Sequence, residues 1–157
     1  MNKEYVDTSR VSLDRIPKKI SAKIVSKYHY SGKLSSCRYA LGLYYKTDNQ
    51  HKFFDDTEEH LIGTLTYGFP KGRRVVGSIF NEDIIGNRNI LELTRLCVKN
   101  GFGSNIESYA ISQSFKWLKK HAPDVKVLIS YADPEQNHSG FIYQATNWLY
   151  QGQGAFQ

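Results

Sequence analysis

Between positions 91 and 131, the order of apolar and polar residues predicts a strand, a helix and a second strand. Residues 91–98 and 125–131 are apolar, β-prone runs, and apolar residues recur at helical spacing between positions 106 and 118. Pro123 should end the helix. The 26 residues between Val98 and Val125 suffice for a helical crossover, so the strands should be parallel, with a ligand crevice where the first strand ends.

A glycine-containing loop at residues 99–104 connects the first strand to the helix. Ser104 and Glu107 have the spacing of a capping box, in which a serine hydroxyl and a glutamate carboxylate bond backbone amides, so the helix should begin near Asn105. A helix start favours a bound anion such as a phosphate, although the glycines can equally serve only to form the turn. The candidate cofactor-binding residues are Gly101, Gly103, Ser104 and Asn105.

Arg95 is the unusual residue of the first strand. Strict alternation places it on one side of the strand with Leu91, Leu93 and Cys97, and places Glu92, Thr94, Leu96 and Val98 on the other side. An arginine among apolar neighbours costs free energy unless a carboxylate, a phosphate or a ligand meets it. Arg95 is therefore a candidate for substrate contact or for a salt bridge with Glu92, Glu107 or Asp133.

The rest of the chain predicts two further helices and an antiparallel hairpin. Pro17 opens a helix with Ile20 and Ile24 on one side and lysines on the other, and Gly32 ends it. Residues 37–46 and 61–67 are predicted hairpin strands, joined by an acidic loop whose carboxylates and histidines lack a recognised metal-ligand spacing. The other predicted segments are a loosely held arm or edge at 1–10, a strand at 74–80, a partly helical connection at 81–89, a short helix at 140–145 and a return strand at 148–151.

Composition places the chain among globular proteins. Its 157 residues, 40% hydrophobic and 23% charged, are enough for one domain with a core and exclude fibrous and disordered classes. No apolar run has membrane-spanning length and the first residues lack a signal-peptide core, so we expect a single cytoplasmic domain over 1–157. Cys37 and Cys97 are expected to be buried thiols rather than a disulfide or a metal pair.

An excess of basic residues favours a polyanionic partner. The formal net charge of +6 supports phosphate contacts, which carry affinity without sequence information. The turn that contains Lys71, Arg73 and Arg74 is a candidate phosphate-binding loop, or else a solvated hairpin turn. The 11 tyrosines can stack on unpaired bases, although most are expected to be half-buried strand residues.

Four further residues are candidates for a functional site because of where they lie relative to the predicted helices and strands. His29 and Tyr30 lie at the end of the first helix, where the histidine suits a base, a stacking surface or a ligand, while a lone histidine is more often structural. Asp133 follows the second strand of the crossover unit, where α/β sites gather, or else caps the turn before Pro134. Tyr143 lies on the short helix at 140–145.

Six short motifs, taken in order, resemble those of the Mom family of bacteriophage DNA-hypermodification proteins, whose fold is similar to the GCN5-related N-acetyltransferases. The motifs are residues 28–32 (YHYSG), 63–68 with Pro70, 92–96 (ELTRL), 107–108, 130–134 (SYADP) and 140–145 (GFIYQA). The resemblance covers most of the chain from about residue 28 to residue 152, and it implies a single α/β (α+β) domain with a mixed β-sheet flanked by helices. The loop at 100–104 carries more glycine than the family pattern.

The resemblance also implies an activity, namely a transferase that converts the N6 amine of adenine in phage DNA to a carbamoylmethyl derivative and so blocks host restriction endonucleases. The implied donor is an acyl-coenzyme A, with iron as a candidate metal, or a glycine-derived compound. The implied partner is double-stranded DNA with a flipped adenine, in the cytoplasm of the infected bacterium.

Six residues carry the implied chemistry: His29, Tyr30, Arg95, Ser108, Asp133 and Tyr143. In this interpretation Asp133 removes the N6 proton, and Tyr143 protonates or hydrogen-bonds the leaving group of the donor. Arg95 and Ser108 hold the donor, while His29 and Tyr30 face the extruded base. Two rival interpretations are an acetyltransferase-like enzyme acting on a protein or small-molecule amine, and a non-catalytic DNA-binding or anti-restriction module.

Overall fold

A computed structural model describes residues 4–48, 57–72, 86–132 and 140–152, which form an α+β fold with one sheet and three helices. In chain order the elements are β1 (Val11–Arg15), α1 (Lys18–Tyr28), β2 (Tyr39–Asp48), β3 (Thr57–Gly68), β4 (Ile90–Val98), α2 (Ile106–His121), β5 (Val127–Ile129) and α3 (Phe141–Gln144). Within the described ranges, no helix combines the length and the apolar character needed to cross a membrane. The α+β class predicted from the sequence is confirmed, while the closer likeness to acetyltransferases stays a prediction.

The five strands lie in the sheet in the order in which they occur in the chain. Strands β1 to β4 are antiparallel neighbours, and β5 is parallel to β4 after the α2 crossover. The predicted hairpin and the predicted parallel crossover unit are therefore both confirmed. The acidic hairpin loop and the strand expected at 74–80 lie outside the described residues.

Hydrophobic clusters cover both faces of the sheet. The larger cluster joins β2, β3 and β4 to α2 through Leu43, Leu65, Leu93 and Ile111. The smaller one joins the sheet to α1, where the buried residues are Ser21, Ile24 and Val25. Ile20 is 40% exposed, whereas Ile24, one turn later, is buried. Ser21 takes an inward position because its hydroxyl lies 2.8 Å from that of Thr64, which satisfies both groups inside the core.

A β-bulge interrupts the alternation of β4. Thr66 of β3 is paired with Arg95, and the following residue, Tyr67, is paired with Leu93. Thr94 is therefore the additional residue on β4. Its hydroxyl donates to the carbonyl of Ser36 over 2.9 Å, which anchors the bulge to the loop after α1.

The bulge changes which β4 residues share a side of the sheet. The residues that pack in the α2 cluster are Leu91, Leu93, Leu96 and Val98. Cys97 packs in the α1 cluster instead, and Arg95, two positions before it, takes the same side. The prediction that Arg95 and Cys97 share a side with Leu91 and Leu93 is wrong, because an inserted residue shifts the phase of every later position.

Two segments near the termini also differ from the prediction. Residues 11–15 form the edge strand β1, which pairs with β2. The sequence predicted only an arm or edge at residues 1–10 and indicated no strand at residues 11–15. Residues 148–151 form no strand, so the return strand predicted there is wrong. The short helix predicted at 140–145 is confirmed as α3.

Candidate active site

A cleft of about 780 Å³ opens at the place where β5 separates from β4. The two strands pair only from Ile90 to Glu92 on β4, so the rest of β4 has no β5 neighbour and forms the floor of the cleft. Residues 28–30, at and just after the end of α1, line one part of the cleft, and residues 131–132 and 140–143 line another. Its volume lies within the usual range for ligand sites. The crevice predicted from the crossover unit is therefore present.

Four of the predicted site residues meet in this cleft, and they come from separate parts of the chain: His29, Tyr30, Arg95 and Tyr143. Asp133, Arg73 and Arg74 lie outside the described residues. Lys71 is described and is exposed, and its backbone amide and ammonium group both act on the carboxyl of Glu92. The cleft therefore brings the predicted base-facing pair, His29 and Tyr30, together with Arg95 and Tyr143 of the predicted donor-facing residues.

Two backbone carbonyls hold the guanidinium of Arg95. Its Nε donates to the carbonyl oxygen of Lys33 over 2.9 Å, and its Nη1 donates to the carbonyl oxygen of Thr94 over 2.6 Å. Arginine has five N–H donors in a fixed planar arrangement, so donors on the outer nitrogens are left for a ligand. The bulge at Thr94 supplies one of the two carbonyls and thereby helps to aim the side chain.

Glu92 is a site residue that the sequence did not single out. It lines the cleft, and burial raises the pKa of its carboxyl group, while the nearby charges of Lys71 and Arg95 and the Lys71 amide oppose that rise. A carboxyl with a raised pKa in a cleft is typical of acid–base chemistry. The signal available in the sequence was a carboxylate three positions before an arginine, but strict alternation placed the two residues on opposite sides of the strand.

Tyr143 lies half-buried on α3 and is fixed from two directions. Its hydroxyl oxygen accepts a hydrogen bond of 2.8 Å from the Ser130 hydroxyl, and its ring meets the ring of Trp148 edge-on at 5.3 Å between centroids. Burial raises the pKa of Tyr143, the Ser130 hydrogen bond opposes this rise, and the charge of Glu92 adds to it. The phenol therefore stays protonated at neutral pH and can donate a proton or a hydrogen bond.

His29 and Tyr30 line the cleft just beyond α1. Their rings stack with centroids 4.4 Å apart. His29 Nδ1 accepts a hydrogen bond of 3.1 Å from the backbone amide of Ser31, which fixes the ring at the helix end. Tyr30 is 56% exposed, so much of its ring is accessible from the cleft mouth.

The N-terminal segment packs against part of the glycine loop, at Gly103 and Ser104. The Ser104 amide donates to the carbonyl of Glu4 over 2.8 Å, and the Val6 amide donates to the carbonyl of Ser104 over 3.0 Å. A Cβ on Gly103 would lie 2.7 Å from the Val6 nitrogen. The close approach that Gly103 permits is thus to the chain itself, and the Ser104 amide is bonded to the Glu4 carbonyl.

The predicted capping box is also absent. The Ser104 hydroxyl donates to the Glu4 carbonyl, and α2 begins at Ile106 after Asn105 in a left-handed conformation without a side-chain cap. Gly101 has open space around it, and it is the part of the predicted cofactor loop that the N-terminal segment leaves uncovered.

Ser108 lies apart from the cleft. It lines a second depression of about 460 Å³ between the N-terminal segment, α2 and the residues after α3, and its hydroxyl donates to the carbonyl of Asn105 over 3.0 Å. The structure therefore does not bring Ser108 together with Arg95 and Tyr143. Within the described residues, no group of three or more His, Cys, Asp or Glu side chains is arranged to hold a metal ion.

Comparison with known proteins gives one family and two relatives. The model of the Mom protein family matches residues 10–157. The methylcarbamoylase Mom of Escherichia phage Mu is 30% identical over 138 residues, which are 85% of this chain and 50% of that protein. The archaeosine synthase of Methanocaldococcus jannaschii is 32% identical over 83 residues, which are 47% of this chain and 15% of that protein. The chain thus spans about half the length of the phage relative that it matches.

Proposed function

As the chain belongs to the Mom protein family, we propose that it is a DNA-modifying transferase that acts on the N6 amine of adenine in phage DNA. The proposed product is the carbamoylmethyl derivative, which protects the DNA from restriction in the cytoplasm of the infected bacterium. The similarity to a phage methylcarbamoylase supports this class of product. The observation that carries the proposal is the cleft beside β4, which joins a stacked His29–Tyr30 pair to Arg95, Glu92 and Tyr143.

The proposed reaction forms one bond from N6 to an activated carbon of the donor. The N6 lone pair attacks that carbon, the leaving group departs with the electron pair of its bond, and a carboxylate takes the N6 proton. Asp133 is the base that the family resemblance implies. Glu92 is the second carboxyl available, because it lines the same cleft and burial raises its pKa.

Tyr143 is proposed to serve the leaving group. Because Ser130 donates its hydroxyl proton to the Tyr143 oxygen, the phenolic proton of Tyr143 remains for an acceptor in the cleft. Arg95, with Nε and Nη1 bonded to carbonyls, can direct its remaining N–H groups to a carbonyl or carboxylate oxygen of the donor. Both groups then act on the donor side of the new bond.

The adenine must leave the duplex stack before any of these atoms can reach N6. The ring pair formed by His29 and Tyr30 offers an aromatic surface for the extruded base at the cleft wall. The donor is proposed to be glycine-derived rather than an acyl-coenzyme A, because the N-terminal segment occupies the loop that would hold a pyrophosphate.

Mass spectrometry of nucleosides tests the proposal directly. Plasmid DNA from cells that express the protein should contain carbamoylmethyl-adenine, and DNA from cells that express Asp133→Asn should lack it while that variant still binds DNA. A matched control is Tyr150→Phe, which alters an exposed tyrosine outside the cleft. Unmodified DNA together with acetyl-coenzyme A turnover on a free amine would replace the proposal with the acetyltransferase-like alternative.

A further inference from the structure

Exposed aromatic rings are concentrated at the mouth of the cleft. Among the described residues, nine large hydrophobic side chains are exposed, and four of them line this cleft: Tyr28, Tyr30, Tyr131 and Phe141. Phe141 is 71% exposed and Tyr131 66%. They come from two regions of the chain. Tyr28 is the last residue of α1 and Tyr30 lies two positions beyond it, whereas Tyr131 follows β5 and Phe141 begins α3. Clustered exposed apolar surface of this kind marks a binding site.

Two lysines flank one of these rings. The Lys27 Nζ lies 5.3 Å and the Lys99 Nζ 5.5 Å from the centroid of the Tyr28 ring. The Lys99 ammonium is held in place, because it donates to the carbonyl of Leu61 over 3.0 Å. Positive charge and an exposed ring therefore occur together at the end of α1.

The interior of the cleft has a different charge distribution. Among its described lining residues are two carboxyl groups, those of Glu92 and Glu107, and one guanidinium, that of Arg95. A phosphate is consequently favoured at the lysine-bearing mouth and disfavoured beside the two carboxyls. A strand that enters this cleft would keep its phosphates at the mouth and turn its bases toward the aromatic rings.

From this arrangement we infer that the cleft mouth is a stacking platform for unpaired nucleotides that flank the modified base. The inference rests on the proposed function and names the form of its substrate, which is single-stranded or locally opened DNA. Aromatic rings that carry exposed faces can stack on unpaired bases, whereas bases in a closed duplex have no free face to offer. Lys27 and Lys99 then contact the phosphates on either side of the stacked bases.

Fluorescence anisotropy with labelled DNA tests this inference. The probe is an oligodeoxyadenylate of about 12 nucleotides, a usual site size for single-strand binding, and it is compared with the matching duplex. The full chain should bind the single strand more tightly. Tyr131→Leu and Phe141→Leu should each lower single-strand affinity by about fivefold to a hundredfold, because each removes an exposed stacking face.

Tyr150→Leu is the matched control, because Tyr150 is 82% exposed and does not line the cleft, and its affinity should equal that of the unchanged chain. Lys27→Gln should reduce the slope of log affinity against log salt by about 0.7, while Lys120→Gln on α2 should leave it unchanged. A 2-aminopurine placed in the strand should lose fluorescence on binding the unchanged chain, which reports stacking without any substitution.

The inference is overturned if Tyr131→Leu and Phe141→Leu bind the single strand as the unchanged chain does, or if 2-aminopurine keeps its fluorescence in the complex. Equal loss of single-strand and duplex affinity in these variants would also overturn it. These results are distinct from a failure of the proposed function, which appears as an absence of modified nucleoside. If the unchanged chain modifies DNA but the variants bind the single strand normally, the proposed function stands and the stacking platform is rejected. If no modified nucleoside forms but the variants bind the single strand weakly, the platform stands and the proposed function is rejected.

Discussion

The Ser130 hydroxyl donates a hydrogen bond of 2.8 Å to the hydroxyl oxygen of Tyr143, across the cleft edge formed by the end of β5 and α3. This contact orients the phenol and makes it a better proton donor, since a hydrogen bond to its oxygen stabilises the phenolate. Burial acts in the opposite direction by raising the Tyr143 pKa. The balance keeps the group protonated and lets it assist a departing group.

Tyr143→Phe should abolish this assistance without emptying the cleft, because only the hydroxyl is removed. The rate of nucleoside modification at saturating DNA should fall by about 10²–10⁴-fold, the usual contribution of a positioned acid or base. Ser130→Ala should lower the rate less and should shift the pH dependence upward, since the Tyr143 pKa loses the hydrogen bond that lowers it. Mass spectrometry after timed incubation measures both. Wild-type rates in Tyr143→Phe would remove this residue from the mechanism.

Glu92→Gln should change how the free energy of unfolding depends on pH. Because burial raises the folded-state pKa of Glu92, the group favours the folded state below the ordinary glutamate pKa of about 4.3, and this contribution is lost as pH rises through the raised value. The stability of Glu92→Gln relative to the unchanged chain should therefore increase with pH across that window. Urea unfolding at several pH values measures it, and a pH-independent difference would contradict the shift.

The same variant identifies the base. If Glu92 takes the N6 proton, the modification rate of the unchanged chain rises with pH through the raised Glu92 pKa, and Glu92→Gln loses both the rise and the activity. If Asp133 takes it, Glu92→Gln stays active and Asp133→Asn does not. Nucleoside analysis of DNA modified at several pH values distinguishes the two outcomes.

Thr94→Val should loosen the bulge on which the position of Arg95 depends. Thr94 is buried, its hydroxyl donates to the Ser36 carbonyl, and the hydroxyl of Thr66 lies 2.8 Å from it. Removing it leaves those groups unsatisfied and should cost about 1–3 kcal/mol in the free energy of unfolding. Thr94→Ser keeps the hydroxyl and serves as the control for denaturant unfolding. A Thr94→Val protein as stable as Thr94→Ser would show that the hydrogen bonds do not hold the bulge.

Gly103→Ala should destabilise the protein more than Gly101→Ala does. Both glycines have φ near +100°, at +97° and +99°, where alanine costs about 1–2 kcal/mol. Only at Gly103 would the added Cβ also collide with the N-terminal segment, at 2.7 Å from the Val6 nitrogen. Thermal unfolding of the two variants tests this difference. Equal melting temperatures would indicate that the N-terminal segment is not packed on the loop in solution.

Isotope labelling should identify the donor. If the added group comes from glycine, carbon-13 glycine fed to expressing cells should raise the mass of the modified nucleoside beyond any labelling of unmodified deoxyadenosine from the same digest. Carbon-13 acetate, which labels acetyl-coenzyme A, should not raise it beyond that labelling. Label from acetate alone would restore an acyl-coenzyme A donor and require the N-terminal segment to leave the loop.

Local signals in the sequence were sufficient to predict most of the helices and strands and the crossover unit. Apolar periodicity, Pro17 and Pro123 were enough to predict α1, α2, β4 and β5, because these signals act between residues close in the chain. The spacing of the crossover then fixed the parallel pairing of β4 with β5 and the place where the cleft opens. His29, Tyr30, Arg95 and Tyr143 were also within reach, since each stands at the end of such an element or interrupts its pattern.

The remaining features of the site depend on contacts between residues that are far apart in the chain. The bulge at Thr94 depends on how β3 and the loop after α1 meet β4, and it alone places Glu92 and Arg95 on the same side of the strand. The contact of Val6 with Gly103 joins residues about a hundred positions apart, so no local pattern records it. Periodicity reports the conformation of neighbouring residues, whereas pairing register and segment docking are set by the free energy of contacts between distant parts of the chain.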